Sequence, residues 1–128
     1  LARLASAKAL YMERKYDEAR AEYQRFLDLH PQHERADEAH YYLGMTYFRQ
    51  SDTPDRDQTF TRKALDEFGL LITQMPDSQY VRDAREHVAL CRHKLAQIAM
   101  VVLGILYDEY IEGLGHKIIS DCRLWIAE

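Results

Sequence analysis

PQHERADEA, from Pro31 to Ala39, returns forty-five residues later as PDSQYVRDA, from Pro76 to Ala84. The proline is only the first match. Ala36 falls over Val81, Glu38 over Asp83, Ala39 over Ala84 and Leu43 over Val88, and the same offset upstream sets Ala19 over Ala64, Glu22 over Glu67, Tyr23 over Phe68 and Leu27 over Ile72. One offset that serves both flanks of a proline marks an internal repeat, and periods of this size belong to stacked helical arrays. Such arrays usually bind proteins and rarely catalyse.

Outward from the first proline, Ala19, Tyr23, Phe26, Leu27 and His30 fall at the three-and-four spacing of one helical face, and the stripe ends where Pro31 disfavours helical geometry in the residue before it. Upstream, Leu4, Ala7, Leu10 and Tyr11 form a shorter stripe, interrupted at Arg14 and Lys15. This pattern predicts two antiparallel helices joined by a short turn. Ala7, Tyr16, Ala19 and Pro31 then occupy the small, aromatic, close-contact and terminal-proline slots of a tetratricopeptide-like helix pair. Small residues there let the backbones approach, and large ones fill the adjoining groove.

The second pair is better formed: Leu43, Gly44 and Tyr47 take the slots of its first helix, and Ala64, Phe68, Leu71 and Pro76 those of its second. Gln50 to Gln58 (QSDTPDRDQ) extends the turn between them by about eight residues over the usual length. Asp77-Ser78 signals another helix start, and a third first helix is predicted from about Ser78 toward Gln97. A last pair is expected at Ile98 to Tyr110 and His116 to Ala127, broken near Gly113-Leu114-Gly115. The expected fold is therefore all-α, a right-handed superhelix of tetratricopeptide-like helical hairpins forming a single domain over residues 1–128. Its repeats cover about 1–31, 34–76 with the insertion at 50–58, and 78–128 with a divergent tail.

The chain of 128 residues has a net charge of -4 and a pI near 5.9, with 47% hydrophobic and 30% charged residues. Lys and Arg are scattered among Asp and Glu with no basic run to follow a phosphate backbone, which disfavours nucleic acid as a partner. The apolar run Ile98 to Leu106 is about half of the roughly 20 residues a transmembrane helix requires. Cys91 and Cys122 sit in apolar-periodic segments as small hydrophobes. The chain opens at Leu1 without initiator Met, signal-peptide pattern or lipid-attachment cysteine, and reads as a fragment or a mature form.

No catalytic residues are expected. The sequence has no Gly-x-Ser-x-Gly elbow and no phosphate-cradling glycine loop. His87 and Cys91 lie four apart on one helical face, as two metal ligands would, but no third ligand accompanies them, and neither a metal nor a cofactor is expected. Asp52, Asp55 and Asp57 alternate as in a calcium loop yet lack its glycine and its final glutamate, so a solvated loop with Arg56 neutralising its neighbours is the plain reading. Asp55, Arg56 and Asp57 remain of interest because insertions often carry function.

The stronger candidates are aromatic. Tyr41, Met45, Phe48 and Arg49, with Tyr11 in the repeat before, fall where the first helix of each pair faces the concave surface. Aromatic, Met and Arg side chains bury area while keeping a polar handle, which suits a partner peptide. Packing against a neighbouring repeat explains the same residues. Leu4, Lys8 and Met12, and Glu86, Leu90, His93 and Lys94, take the matching slots of the flanking repeats. The mixed groove suits an extended or hairpin segment with aromatic side chains.

The residues YYLGMTYF (Tyr41–Phe48), DRDQ (Asp55–Gln58), TRKALDEF (Thr61–Phe68), PDSQY (Pro76–Tyr80) and Asp83-Ala84 together resemble the BamD family of outer-membrane assembly lipoproteins. The resemblance covers about Leu10 to Gln97, and generic tetratricopeptide proteins lack the Asp-Arg-Asp insertion. It implies a non-catalytic scaffold at the periplasmic face of the outer membrane of a Gram-negative bacterium. Its partners would be a β-barrel insertase, other assembly lipoproteins and segments of outer-membrane proteins, and it would meet the membrane only through a lipid anchor absent from this chain. Two alternatives stay open: another periplasmic tetratricopeptide adaptor, such as the coordinator of the Tol-Pal envelope system, and a regulatory repeat domain of a larger protein.

Overall fold

The computed structural model describes residues 1–51 and 57–110. Those residues form five α-helices and no strand: α1 (Ala2–Met12), α2 (Tyr16–Leu29), α3 (Ala36–Gln50), α4 (Asp57–Gln74) and α5 (Val81–Tyr110). Consecutive helices pack as hairpins, α1 on α2 and α3 on α4, with α2 also against α3. The chain divides into two compact units, Leu1–Cys91 and Arg92–Glu128.

The first turn reverses direction in three residues. Arg14 adopts φ 63°, the left-handed conformation that a helix end usually assigns to glycine. Its N–H donates to the Tyr11 carbonyl at 3.0 Å and the Lys15 N–H to the Leu10 carbonyl at 2.9 Å, so the last carbonyls of α1 are satisfied within the turn. Beyond it, Asp17 and Glu18 place negative charge at the start of α2, where the helix dipole favours it.

The two copies of the repeated stretch fold as one motif. At the first joint the His33 N–H donates to the His30 carbonyl and the Ala36 N–H to the His33 carbonyl, at 3.2 and 2.9 Å. At the second, Ser78 and Val81 make the same bonds to Met75 and Ser78, at 3.1 and 3.2 Å. Each joint is locked by its own side chain: His33 Nδ1 accepts from the Arg35 N–H at 3.1 Å, and Ser78 Oγ accepts from the Tyr80 N–H at 3.2 Å. An imidazole nitrogen and a hydroxyl thus do the same work at equivalent positions.

In the first unit the core has two parts. Leu4, Ala7, Ala19, Tyr23, Phe26, Leu27, Ala36, Ala39 and Leu43 make up one. Met45, Ala64, Phe68, Leu71, Ala84 and Cys91 make up the other. Tyr11, Tyr47 and Met75 pack against both. Alanines recur in both parts, and α3 and α4 approach closely at Gly44, where an added Cβ would lie 2.8 Å from Phe68 Cε1.

Two boundaries differ from the sequence expectation. Gln50 closes α3 and Asp57 opens α4, so the expected insertion is shorter at both ends, and residues 52–56, with Asp55 and Arg56, lie outside the described residues. The break expected near Ile98 is also missing, because α5 runs unbroken to Tyr110. Between Lys94 and Val102 the sequence holds neither Pro nor Gly, and an apolar run alone does not stop a helix. The glycine break and the helix expected from His116 lie outside the described residues.

Candidate protein-binding face

The helices that open each pair bring their tyrosines together. Tyr11 on α1 meets Tyr42 on α3 edge-on, with ring centroids 5.2 Å apart, and Tyr42 stacks on Tyr23 of α2 at 5.9 Å. Tyr41 stacks on Tyr80, from the joint before α5, at 4.8 Å, and Tyr42 reaches the same ring at 6.2 Å. Tyr11, Tyr41, Tyr42 and Tyr80 are half-buried, so each keeps part of its ring at the surface. Such pairs contribute about 0.5–1.5 kcal/mol each beyond the area they bury.

The ladder ends at His87, whose ring lies 4.9 Å from Phe48, 5.5 Å from Phe68 and 6.3 Å from Tyr41. Its Nδ1–H donates to the Asp83 carbonyl one turn earlier at 2.8 Å, which fixes the tautomer. One corner holds an ion-paired group. Glu38, 6% exposed, accepts two hydrogen bonds from Arg35 at 2.9 and 2.7 Å, and Lys8 lies 3.8 Å from its other oxygen. The Lys8 ammonium also sits 5.4 Å above the Tyr42 ring.

Burial sets the acidity of these phenols. Tyr41 is pushed up to about 12, by burial first and then by the negative charge of Asp83. Tyr23 is raised further, again by burial first, then by Tyr42 and Glu38. Its hydroxyl is enclosed without a hydrogen-bond partner among the described residues.

The residues singled out from sequence divide by burial. Tyr41 and Phe48 lie on the face, half-buried and packed against the start of α5, and Tyr11 lies on it from α1. Arg49 is exposed in the last turn of α3. Met45 is 4% exposed and Leu4 1%; both are core residues and offer no surface to a partner. Asp57 is the first residue of α4. The pair weighed as metal ligands is also spoken for, with Cys91 in the core and His87 bonded within its own helix. Among the described residues no group of three potential ligands assembles.

Tyr42, Tyr80 and His87 are members of the face that reading by slots did not pick out. A signal for two of them was present, because Tyr42 and His87 stand at the same forty-five-residue offset as the prolines. Behind the face, at the base of the insertion, the Arg20 guanidinium lies over the Tyr47 ring at 4.4 Å and the Phe60 ring at 4.8 Å. It donates to Asp17 at 3.0 Å and to Gln50, and so ties α2, α3 and α4 at one point.

Helical hairpins joined by equivalent proline turns, with an aromatic face on their first helices, define a tetratricopeptide-like repeat protein. Residues 1–110 match the model of the YfiO family, described as an outer membrane lipoprotein, and the chain belongs to that family. It is 31% identical over 99 residues to the outer membrane protein assembly factor BamD of Caulobacter vibrioides, an alignment covering 77% of this chain and 32% of the relative. It is 35% identical over 91 residues to BamD of Neisseria gonorrhoeae, covering 63% of this chain and 34% of the relative, with the same figures for a Neisseria meningitidis serogroup A protein. The chain thus spans about a third of the length of these relatives. No described helix is long and apolar enough to cross a membrane.

Proposed function

We propose that this chain is part of a non-catalytic scaffold that binds proteins during β-barrel assembly at the periplasmic face of the outer membrane. Membership in an outer-membrane lipoprotein family whose relatives are named as assembly factors supports the setting. The single observation that carries the binding role is the tyrosine ladder from Tyr11 through Tyr42 and Tyr41 to Tyr80, half-buried along its length. Core packing alone would favour full burial, as at Tyr23. Rings left partly open have the character of protein-recognition residues. The partner segment is extended or hairpin-like and carries aromatic side chains to lie on those rings. Its sources are the β-barrel insertase, companion lipoproteins and the outer-membrane proteins being assembled.

A photoreactive amino acid at Arg49, exposed in the last turn of α3 one residue after Phe48, tests this in a Gram-negative envelope, with Asp28 on the exposed side of α2 as control. Capture of assembly-machinery or outer-membrane protein segments at Arg49 and not at Asp28 is the expected result. Equal capture at both sites, or capture of Tol components instead, overturns the reading.

A further inference from the structure

The repeated stretch builds more than two turns. Between the two joints lies an open groove of about 670 Å³, lined on one side by residues after Pro31 and on the other by residues after Gln74. Its lining mixes apolar and acidic groups. Met75, half-buried and packed against both parts of the core, supplies an apolar surface, and the rings of Pro31 and Pro76 supply two more. Every formally charged side chain in the lining is a carboxylate: Glu34, Asp37 and Asp77.

These carboxylates differ in how they are held. Asp37 Oδ2 accepts from the Ser78 hydroxyl at 2.6 Å and Oδ1 from the Glu38 N–H at 2.7 Å, so its charge is fixed across the groove from one joint to the other. Glu34 and Asp77, exposed at the rims, make no ion pair among the described residues. Glu38, by contrast, is paired with Arg35 and Lys8, and Glu67 with His40 at 3.0 Å; the charge nearest Glu34 is the Arg35 guanidinium, which is bonded to Glu38.

We propose that this groove receives the side chain of an arginine or lysine carried by a segment of a partner protein. Apolar walls with a charged end match a long aliphatic stem that ends in a cation. Charge-assisted hydrogen bonds to oriented carboxylates are the stronger kind, and a carboxylate already held in place loses less freedom when it accepts one. Tyr80, at the end of the tyrosine ladder, stands two residues after Ser78 of the groove, so a segment lying on the rings reaches the groove from the second joint. That the partner is a protein rests on the scaffold reading; the affinity of the groove for a guanidinium does not.

The test is a titration of the isotopically labelled 128-residue chain with a capped Gly-Gly-Arg-Gly-Gly peptide, followed by amide chemical shifts. The neutral citrulline peptide and the Glu34→Gln/Asp77→Asn double variant serve as comparisons. Saturable shifts at Glu34, Asp37 and Ser78 are expected with the arginine peptide, weakened about fivefold or more in the double variant and by added salt. No saturation by about 10 mM peptide, equal binding of citrulline, or an unchanged constant in the double variant overturns the proposal. Failed capture at Arg49 together with a positive titration sinks the scaffold reading and leaves the groove standing.

Discussion

Gly44 gives the most direct test of how closely the first and second helices of a pair approach. A methyl group added there meets Phe68 Cε1 at 2.8 Å, Cδ1 at 3.0 Å and Cζ at 3.1 Å, and Phe68 is fully buried, so its ring has no open space to move into. Overpacking of this kind costs about 1–3 kcal/mol. Alanine in a helix interior returns about 1 kcal/mol relative to glycine. Gly44→Ala should therefore destabilise by up to about 2 kcal/mol, and Gly44→Leu by several. Gly69 on α4 is the control, because a Cβ there meets nothing within 4 Å. Gly69→Ala should collect only the helical gain and stabilise by about 1 kcal/mol. Urea unfolding followed by far-ultraviolet circular dichroism measures both variants, and a Phe68→Leu background should reduce the Gly44→Ala penalty. If Gly44→Ala stabilises as much as Gly69→Ala, the close approach of α3 and α4 is wrong.

Arg20→Ala should lower stability by about 2 kcal/mol, because it removes cation–π contacts to rings on α3 and α4 and a hydrogen bond that joins α2 to α3. Arg20→Lys should recover less than half, since an ammonium cannot stack flat between Tyr47 and Phe60; full recovery by lysine would show that charge alone matters. Tyr23→Phe should be neutral or stabilise by up to about 1 kcal/mol, as the lost hydroxyl has no partner to leave behind; a loss above that, read by the same unfolding curves, would point to a bond the hydroxyl does make. The raised phenols set a further expectation. A tyrosine whose folded pKa lies above its unfolded value gives stability that is complete below about pH 10 and lost as pH rises through the folded value. For Tyr41 that window runs from about 10 to about 12, and Tyr41→Phe should flatten the fall of stability across it. An unchanged slope would place the Tyr41 phenol in open solvent.

The joints were legible in the sequence because their cause is local: a proline ends one helix and an acceptor two residues later holds the next N–H, whether that acceptor is His33 or Ser78. Gly44 and Phe68 were legible as slots, since a tight helix crossing admits few residue types. The length of α5 was not, because repeat spacing predicted a turn near Ile98 where no residue breaks the helix. Burial at the face was only partly readable. Met45 and Phe48 stand three apart on α3 and share a stripe, but the stripe is wider than the surface that stays open, and Met45 falls on its inner edge. His87 was weighed as a metal ligand through its spacing to Cys91. Its aromatic surroundings come from two other helices, α3 and α4, and leave no trace in local spacing.

Recognition and packing use the same rings on this face, and that governs how its function is dissected. Tyr41 stacks on Tyr80 and borders Phe68, so an alanine there removes contacts that join α3 to α4 and α5 as well as any contact with a partner. Truncating a large aromatic in a core costs about 3–5 kcal/mol, and a half-buried ring some fraction of that. A binding defect in such a variant therefore mixes two causes. Lys8 and Arg49 are the side chains that separate them. Lys8 is 47% exposed and Arg49 is exposed beside Phe48, and neither fills the core. Lys8 lies over the Tyr42 ring from α1 and Arg49 follows Phe48 at the end of α3, so substitutions there alter what a partner meets without removing a ring from the ladder.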